Sequence, residues 1–340
     1  MHDLAKLVLN HESALTLASD VCGEFNALLA LARGAEKYGW SRPHVVDESI
    51  IHIKGGRHPL QELVVPSFIP NDCNMPQDNT VSGRARAMIL TGPNQSGKSI
   101  YLKQVAIIVY LTHIGSFVPA DQADIGLTDK ILTRISAKES VSRNESAFAI
   151  ALRQITQSVR FATSRTLVLV DEFGKGTNGD DGAGLLAGLV DHFLSFEKPP
   201  RLLLATHFHE LIEGNFLREN GQLVFAHMSV QVNANADRTE DEVVYLFQLL
   251  EGYSSSSMGS RCAALNGVPR AIVERSEAIS RLLAKNEDIT SACAKLTQDE
   301  EVKLERAEIV ARQFLESDIG LMSRPTEAKS LLERILGSGG

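Results

Sequence analysis

The sequence lacks paired cysteines. Cys22, Cys73, Cys262 and Cys293 lie far apart and form no C-x-x-C unit, so neither a zinc site nor a disulfide framework is expected. It also lacks basic excess. Lys and Arg number 34 against 42 Asp and Glu, giving a net charge of −8. Phosphate backbones are gripped by clustered Lys and Arg, so the acidic balance argues against a broad basic surface for nucleic acid, and any grip on DNA must be local or lie on another segment. Long uninterrupted apolar runs are missing. The longest, at 105–111 and 202–205, are far too short to span a membrane. Residues 1–6 build no apolar leader core, and no internal repeat is present. What is there is a chain of 340 residues, 44% of them apolar, enough to bury a sizeable core. A soluble protein of a reducing compartment, with no membrane partner, is expected.

Periodicity divides the chain. Residues 1–38 read as helical, since Ala14, Leu17, Val21, Phe25, Leu28 and Leu29 recur mainly at spacings of three and four. Gly39 and Pro43 break that pattern. Short strand-like runs follow, including 51–53 with a turn at Gly55-Gly56, and the polar stretch 74–86 reads as a surface loop. An alternation then begins. Strands are expected at 87–90, 167–170 and 202–205, and helices at 99–114, 147–163 and 182–196. Continuous apolar strands alternating with helices indicate an α/β fold with a mainly parallel sheet covered on both faces. Residues 224–232 and 243–249 read as a hairpin pair at the sheet edge. Pro269 suits the first turn of a helix, where its missing N–H costs nothing. A charged amphipathic helix is expected at 299–317, and 337–340 should fray.

The chemistry concentrates after the first of these apolar strands. Gly92-Pro93-Asn94-Gln95-Ser96-Gly97-Lys98-Ser99 fits G-x-x-x-x-G-K-[ST] between a strand and a helix. Glycines let backbone N–H groups turn inward around phosphate oxygens, and the helix N-terminus adds positive potential. Lys98 would reach the β- and γ-phosphates of ATP, and Ser99 would ligate Mg²⁺. Asp171-Glu172 closes the strand at 167–170. Asp171 would hold Mg²⁺, directly or through water, and Glu172 would orient or deprotonate the attacking water. Thr206-His207 closes the next apolar strand, at the sheet edge where ligands bind. A lone histidine is more often structural, but His207 in that place can sense the γ-phosphate.

These residues together resemble the MutS family. The run 166–177, Thr-Leu-Val-Leu-Val-Asp-Glu-Phe-Gly-Lys-Gly-Thr, followed by Gly182, carries the likeness most specifically. Arg57-His58-Pro59, residues 115–120, Thr133-Arg134-Ile135, residues 205–211, Ser257-Met258-Gly259 and Gly267-Val268-Pro269 resemble further elements in the family's order. Residues 171–177 and 96–105 look most like the family's fifth eukaryotic branch, which acts in meiotic crossing-over as an obligate partner of the fourth. Most other members carry Ile or Leu at position 173 and Arg at 175.

The resemblance implies an ABC-type P-loop ATPase at 46–285, preceded by the end of lever helices at 1–45 and followed by a helical tail at 286–340. It implies a nucleotide at a dimer interface, with Phe68, beside Ile69, stacked on adenine. Ser146 would be offered to the partner's γ-phosphate, and Asp181, in the turn after Gly176-Thr177, would face the partner. The implied partner is another MutS homologue, the fourth eukaryotic one, in a nuclear heterodimer. It implies double-stranded DNA or recombination junctions as substrate, reached through domains absent here. The sequence departs from the family at Ala151, where members carry an acid, and in length. The mismatch-reading, connector and clamp domains would precede residue 1, so the chain reads as a fragment, a short gene model or a truncated form. Two alternatives stay open: a mismatch-repair MutS ATPase, and a largely non-hydrolysing partner that binds ATP as dimer glue. A chromosome-organising or transporter ATPase would need an L-S-G-G-Q-like signature, which is missing.

Overall fold

The computed structural model describes residues 2–76, 85–135, 146–232, 243–254, 258–284 and 298–316. Two compact units are formed, Met1–Gly267 and Val268–Gly340.

The first unit opens with α1 (His2–Leu9) and α2 (Glu12–Tyr38). α2 stops at Gly39, whose φ of 61° is left-handed backbone that glycine adopts without a Cβ clash. The Arg57 guanidinium donates to the Gly39 carbonyl at 3.1 Å, placing positive charge where the helix dipole is negative. Leu15, Leu17, Val21 and Phe25 are exposed along α2. On length and composition alone this helix is long and apolar enough to cross a membrane. The short uninterrupted runs concealed that property, because Asp20 and Glu24 interrupt its apolar residues.

Two sheets follow. The smaller contains β1 (His44–Val46), β2 (Ile51–Gly56), β3 (Asn71–Met75) and β5 (Gln122–Gly126), in the order β1-β5-β2-β3. The larger contains β4 (Ala87–Thr91), β6 (Ile131–Arg134), β7 (Leu167–Asp171), β8 (Arg201–Ala205), β9 (Leu223–Val232) and β10 (Val243–Glu251), in the order β10-β9-β4-β8-β7-β6. All neighbours in it pair in parallel except β10, which runs antiparallel to β9 at the edge. The chain is therefore a mixed α/β protein with a mostly parallel sheet, as its apolar runs predict.

Those runs are continuous because both faces are buried. Leu90, Leu167, Leu169 and Leu203 point into one core, with α3 (Lys98–His113) and the smaller sheet. Ile89, Val168, Val170 and Leu204 point into the other, beneath α4 (Ala147–Phe161) and α5 (Gly179–Leu194). Short helices α6 (Glu210–Glu213) and α7 (Gly259–Leu265) follow β8 and β10.

Three local expectations need correction. The stretch 74–86 is not wholly loop: Asn74 and Met75 belong to β3, and Met75, Ala85 and Arg86 are buried. Polar Asn71, Asp72 and Asn74 disguise a strand whose alternate residues Cys73 and Met75 face the core. Gly55-Gly56 lies inside β2, at an irregularity opposite β3, rather than forming a turn beyond it. α5 starts at Gly179, three residues before the expected position, so Asp181 sits in its first turn and not in the preceding loop. Acidic residues are favourable there.

The second unit contains α8 (Arg270–Ala284) and α9 (Gln298–Glu316). The Pro269 carbonyl accepts from the amides of Ile272 and Val273, just ahead of α8. Arg270 pairs with Glu274 at 2.7 Å, one helical turn on. Residues 317 and 337–340 lie outside the described residues, as do Ser257 and Cys293; Cys22, Cys73 and Cys262 are free thiols.

Candidate functional site

The carboxyl edge of the parallel sheet gathers the polar residues. After β4 the chain turns through 92–97 into α3, with left-handed backbone at Gly92 (φ 134°), Gln95 (φ 65°) and Gly97 (φ 101°). Glycine tolerates these values, whereas Gln95 is strained. The Ser96 hydroxyl closes the turn on the Pro93 carbonyl at 2.8 Å. Lys98 is buried, and its ammonium donates to the carbonyls of Gly92 at 2.7 Å and Pro93 at 2.8 Å. Burial pushes its pKa down to about 8, against the pull of Glu172 and Asp171. An incoming anion would relieve that cost by supplying opposite charge. α7 supports the loop from behind: the Cys262 thiol donates to the Asn94 carbonyl at 3.6 Å, and the Gln95 amide donates to Asn266 Oδ1 at 3.5 Å. This gives a physical reason for the family-like element around 258–267.

β7 ends on Asp171, which is buried. Burial raises its pKa, and a hydrogen bond from Ser99 opposes that shift. Its Oδ1 is buried with no hydrogen-bond partner. A hard divalent cation such as Mg²⁺ takes oxygen ligands, keeps several waters and needs only one or two protein groups beside phosphates. Asp171 and Ser99 fit that requirement. Among the described residues, no cluster of three or more His, Cys, Asp or Glu offers an all-protein metal cage.

Glu172 follows with a φ of 53°, strained for a residue with a side chain. Its amide donates to the Ala205 carbonyl at 2.9 Å, tying it to β8. Its Oε1 is hydrogen-bonded to His207 Nε2 at 2.9 Å, and its Oε2 accepts from Lys175 Nζ at 2.7 Å. The His207 bond first, and the Lys175 ammonium beside it, hold the Glu172 carboxyl down to about 2. Arg134, buried at the end of β6, donates to the Asp171 backbone carbonyl. Sequence reading placed Arg134 in a family-like element without giving it a role.

Beside the loop lies a cavity of about 250 Å³, lined by Phe68, Ile69, Gln95, Gly97, Met228 and Phe247 among others. Phe247 has a φ of 54° and sits where the β9–β10 register shifts between Tyr245 and Leu249. The Asn71 amide donates to the Phe247 carbonyl at 2.8 Å, and Asn71 Oδ1 accepts from the Leu249 amide at 2.7 Å. This irregular segment lets Phe247 line the cavity. Sequence reading missed it, because Phe247 falls inside an ordinary-looking strand run and nothing local marks a bulge.

Ser146 and Asp181 lie away from the loop in sequence and are both exposed. Ser146 caps α4, its hydroxyl oxygen accepting from the Ala149 amide at 3.2 Å. Ala151, within α4, is fully buried and faces this chain's own core. The turn after Glu172 is held by backbone packing. A Cβ on Gly174 would lie 2.7 Å from the Gly182 carbonyl oxygen, and one on Gly182 would lie 2.5 Å from the Gly174 oxygen. Both glycines are sterically required, which explains their spacing.

The family model for MutS domain V matches residues 88–284. MutS protein homolog 5 of Saccharomyces cerevisiae is 34% identical over 96% of this chain and 38% of its own length. DNA mismatch repair protein MutS of Chlorobium phaeobacteroides is 35% identical over 84% of this chain and 31% of its own. The MutS protein of Rhodopirellula baltica is 36% identical over 82% of this chain and 30% of its own. The chain thus spans about a third of the length of these curated relatives. With domain V, the family's ATPase domain, matched from the first strand of the parallel sheet to the end of α8, the chain belongs to the MutS family.

Proposed function

We propose that this chain is the ATP-binding and hydrolysing part of a MutS-type DNA clamp, acting as one half of a heterodimer. The observation that carries the reading is the unpartnered, buried Oδ1 of Asp171, set beside Ser99 at the mouth of a glycine-turned loop. A buried carboxylate oxygen left without a donor is costly unless a cation completes it. Residues 46–285 form an ABC-type ATPase domain on this reading, 1–45 the end of the lever helices, and 286–340 a helical tail.

Within the site, the amides of 92–97 and Lys98 bind the phosphates, Lys98 leaving its two carbonyl partners for them. Phe68 and Phe247 offer aromatic faces to the adenine, beside Ile69. Mg²⁺ would be held by Ser99 and Asp171 and would neutralise charge on the phosphates. Glu172 directs a water at the γ-phosphate, and His207 keeps that carboxylate oriented and senses the phosphate. Arg134 fixes the end of β7 through the Asp171 carbonyl.

These groups all approach from one sheet edge and cover one side of a triphosphate. Ser146 at the start of α4 and Asp181 at the start of α5 are exposed and would face a partner subunit, completing the partner's site. The likeness to MutS protein homolog 5 over 96% of the chain supports a nuclear role in meiotic recombination, on DNA junctions, with the fourth homologue as partner. DNA contact then falls largely to segments outside this chain. Mixed dimers test the arrangement. Ser146→Ala on one subunit should slow hydrolysis at the other subunit's site while leaving ATP binding at its own within about twofold. Loss of ATP binding confined to the altered subunit would overturn it.

A further inference from the structure

Lys175 is not used by the reaction outlined above, yet it occupies the group that reaction needs. Its ammonium lies 2.7 Å from Glu172 Oε2, while His207 takes Oε1 at 2.9 Å. Both oxygens of the carboxylate are therefore engaged by the protein. A carboxylate bonded at one oxygen to a ring and at the other to a cation has less freedom to align a water.

The lysine is also mechanically placed. It stands between Gly174 (φ 95°) and Gly176 (φ 102°). Gly174 abuts the backbone of Gly182, near the start of α5, and a Cβ on Gly176 would come 3.3 Å from the Cβ of Phe148, at the start of α4. The turn carrying Lys175 thus packs on the start of α5 at Gly174 and leaves less than a methyl group's space before the start of α4 at Gly176, the two helices that expose Ser146 and Asp181. Movement of the start of α5 would reach the turn through the close Gly174–Gly182 backbone approach, and movement of the start of α4 towards Gly176 would meet the turn after little travel. The ion pair itself is weakly protected, with side-chain exposures of 52% for Lys175 and 30% for Glu172. Pairs of that kind add little to stability, so this one breaks easily.

We propose that Lys175 is a positioning residue that holds Glu172 in a resting arrangement, and that displacement of the 174–177 turn through the starts of α4 and α5 frees the carboxylate to direct water. The inference rests on the reading of Glu172 as the water-directing group. It makes hydrolysis responsive to whatever docks on the Ser146 and Asp181 side, without a new contact to the nucleotide.

The test uses the full chain with Lys175→Met and Lys175→Arg. In single turnovers with saturating ATP and Mg²⁺, Lys175→Met should hydrolyse roughly threefold to fivefold faster than the parent. Its half-saturating ATP concentration should be unchanged, because Lys175 does not line the phosphate loop. Lys175→Arg restores a cation and should bring the rate back towards the parent's. A merely structural lysine would instead slow the rate and weaken ATP binding together. A second readout needs no nucleotide: amine labelling of Lys175, followed by mass spectrometry, should quicken when Glu172 is replaced by Gln. The proposal is overturned if Lys175→Met is no faster than the parent, if Lys175→Arg is as fast as Lys175→Met, or if the labelling rate is unaltered. Failure of the underlying reading looks different, because Glu172→Gln would then hydrolyse ATP as the parent does.

Discussion

The two edges of the parallel sheet treat buried charge in opposite ways. At the amino edge, Arg201 begins β8 and Arg86 precedes β4, both buried. Arg201 donates to the Ile50 carbonyl at 3.1 Å, the Thr128 hydroxyl at 2.8 Å and the Arg165 carbonyl at 2.6 Å. Arg86 donates to the carbonyls of Pro199 at 2.8 Å and Ser164 at 2.6 Å. A guanidinium has several donors in a fixed fork, so two of them stitch together the loops around the strand starts. Burial, and Arg86 nearby, lower the pKa of Arg201 to about 10, still far above neutrality. At the carboxyl edge the polar capacity is left over. Asp171 Oδ1 has no partner, Gln95 and Glu172 are held in left-handed backbone, and Lys98 rests on carbonyls of its own loop. The amino edge leaves Arg201 Nε without a partner but ties its loops together through the other guanidinium nitrogens, whereas the carboxyl edge combines strained backbone with an unpartnered carboxylate oxygen that a bound cation would complete.

Single substitutions separate the two edges. The largest effect on ATP binding is expected for Lys98→Ala, which should weaken it roughly a hundredfold by removing a charge-assisted contact to the phosphates. The fold should hold, since the buried ammonium already bears a desolvation cost that the substitution removes. Equilibrium titration with a fluorescent ATP analogue, beside a urea melt, reads both. A smaller and opposite pattern is expected for Arg201→Met. Loss of the guanidinium leaves buried carbonyls unpaired and should cost about 2 kcal/mol of stability, seen as a lower urea midpoint at unchanged slope. ATP binding by the folded fraction should stay within about twofold. If Arg201→Met weakened ATP binding as much as Lys98→Ala, the two edges would not be distinct.

Much of the carboxyl edge was legible in the sequence because its chemistry is contiguous. The phosphate loop, Asp171-Glu172 and Thr206-His207 each follow an apolar strand directly, so strand ends and site residues are read together. The sheet was legible for the same reason, since runs such as 167–170 are apolar at every position only when both faces are covered. What escaped depends on distant partners. Phe247 reaches the cavity through a bulge fixed by Asn71, 176 residues away. Arg134 and Lys175 matter through contacts to Asp171 and Glu172 that no spacing rule announces. β3 was hidden by its asparagines, and the first turn of α5 by Gly179 and two aspartates, residues that commonly mark turns.

On the proposed function, Glu172 serves hydrolysis and not the holding of ATP. Glu172→Gln keeps the size and one acceptor oxygen but removes the charge that acts on water. Single-turnover hydrolysis, with ATP affinity measured on the same preparation, tests this most directly. Affinity should stay within about threefold of the parent while the hydrolysis rate falls roughly a hundredfold or more. A Glu172→Gln chain that hydrolyses ATP at the parent's rate would contradict the account.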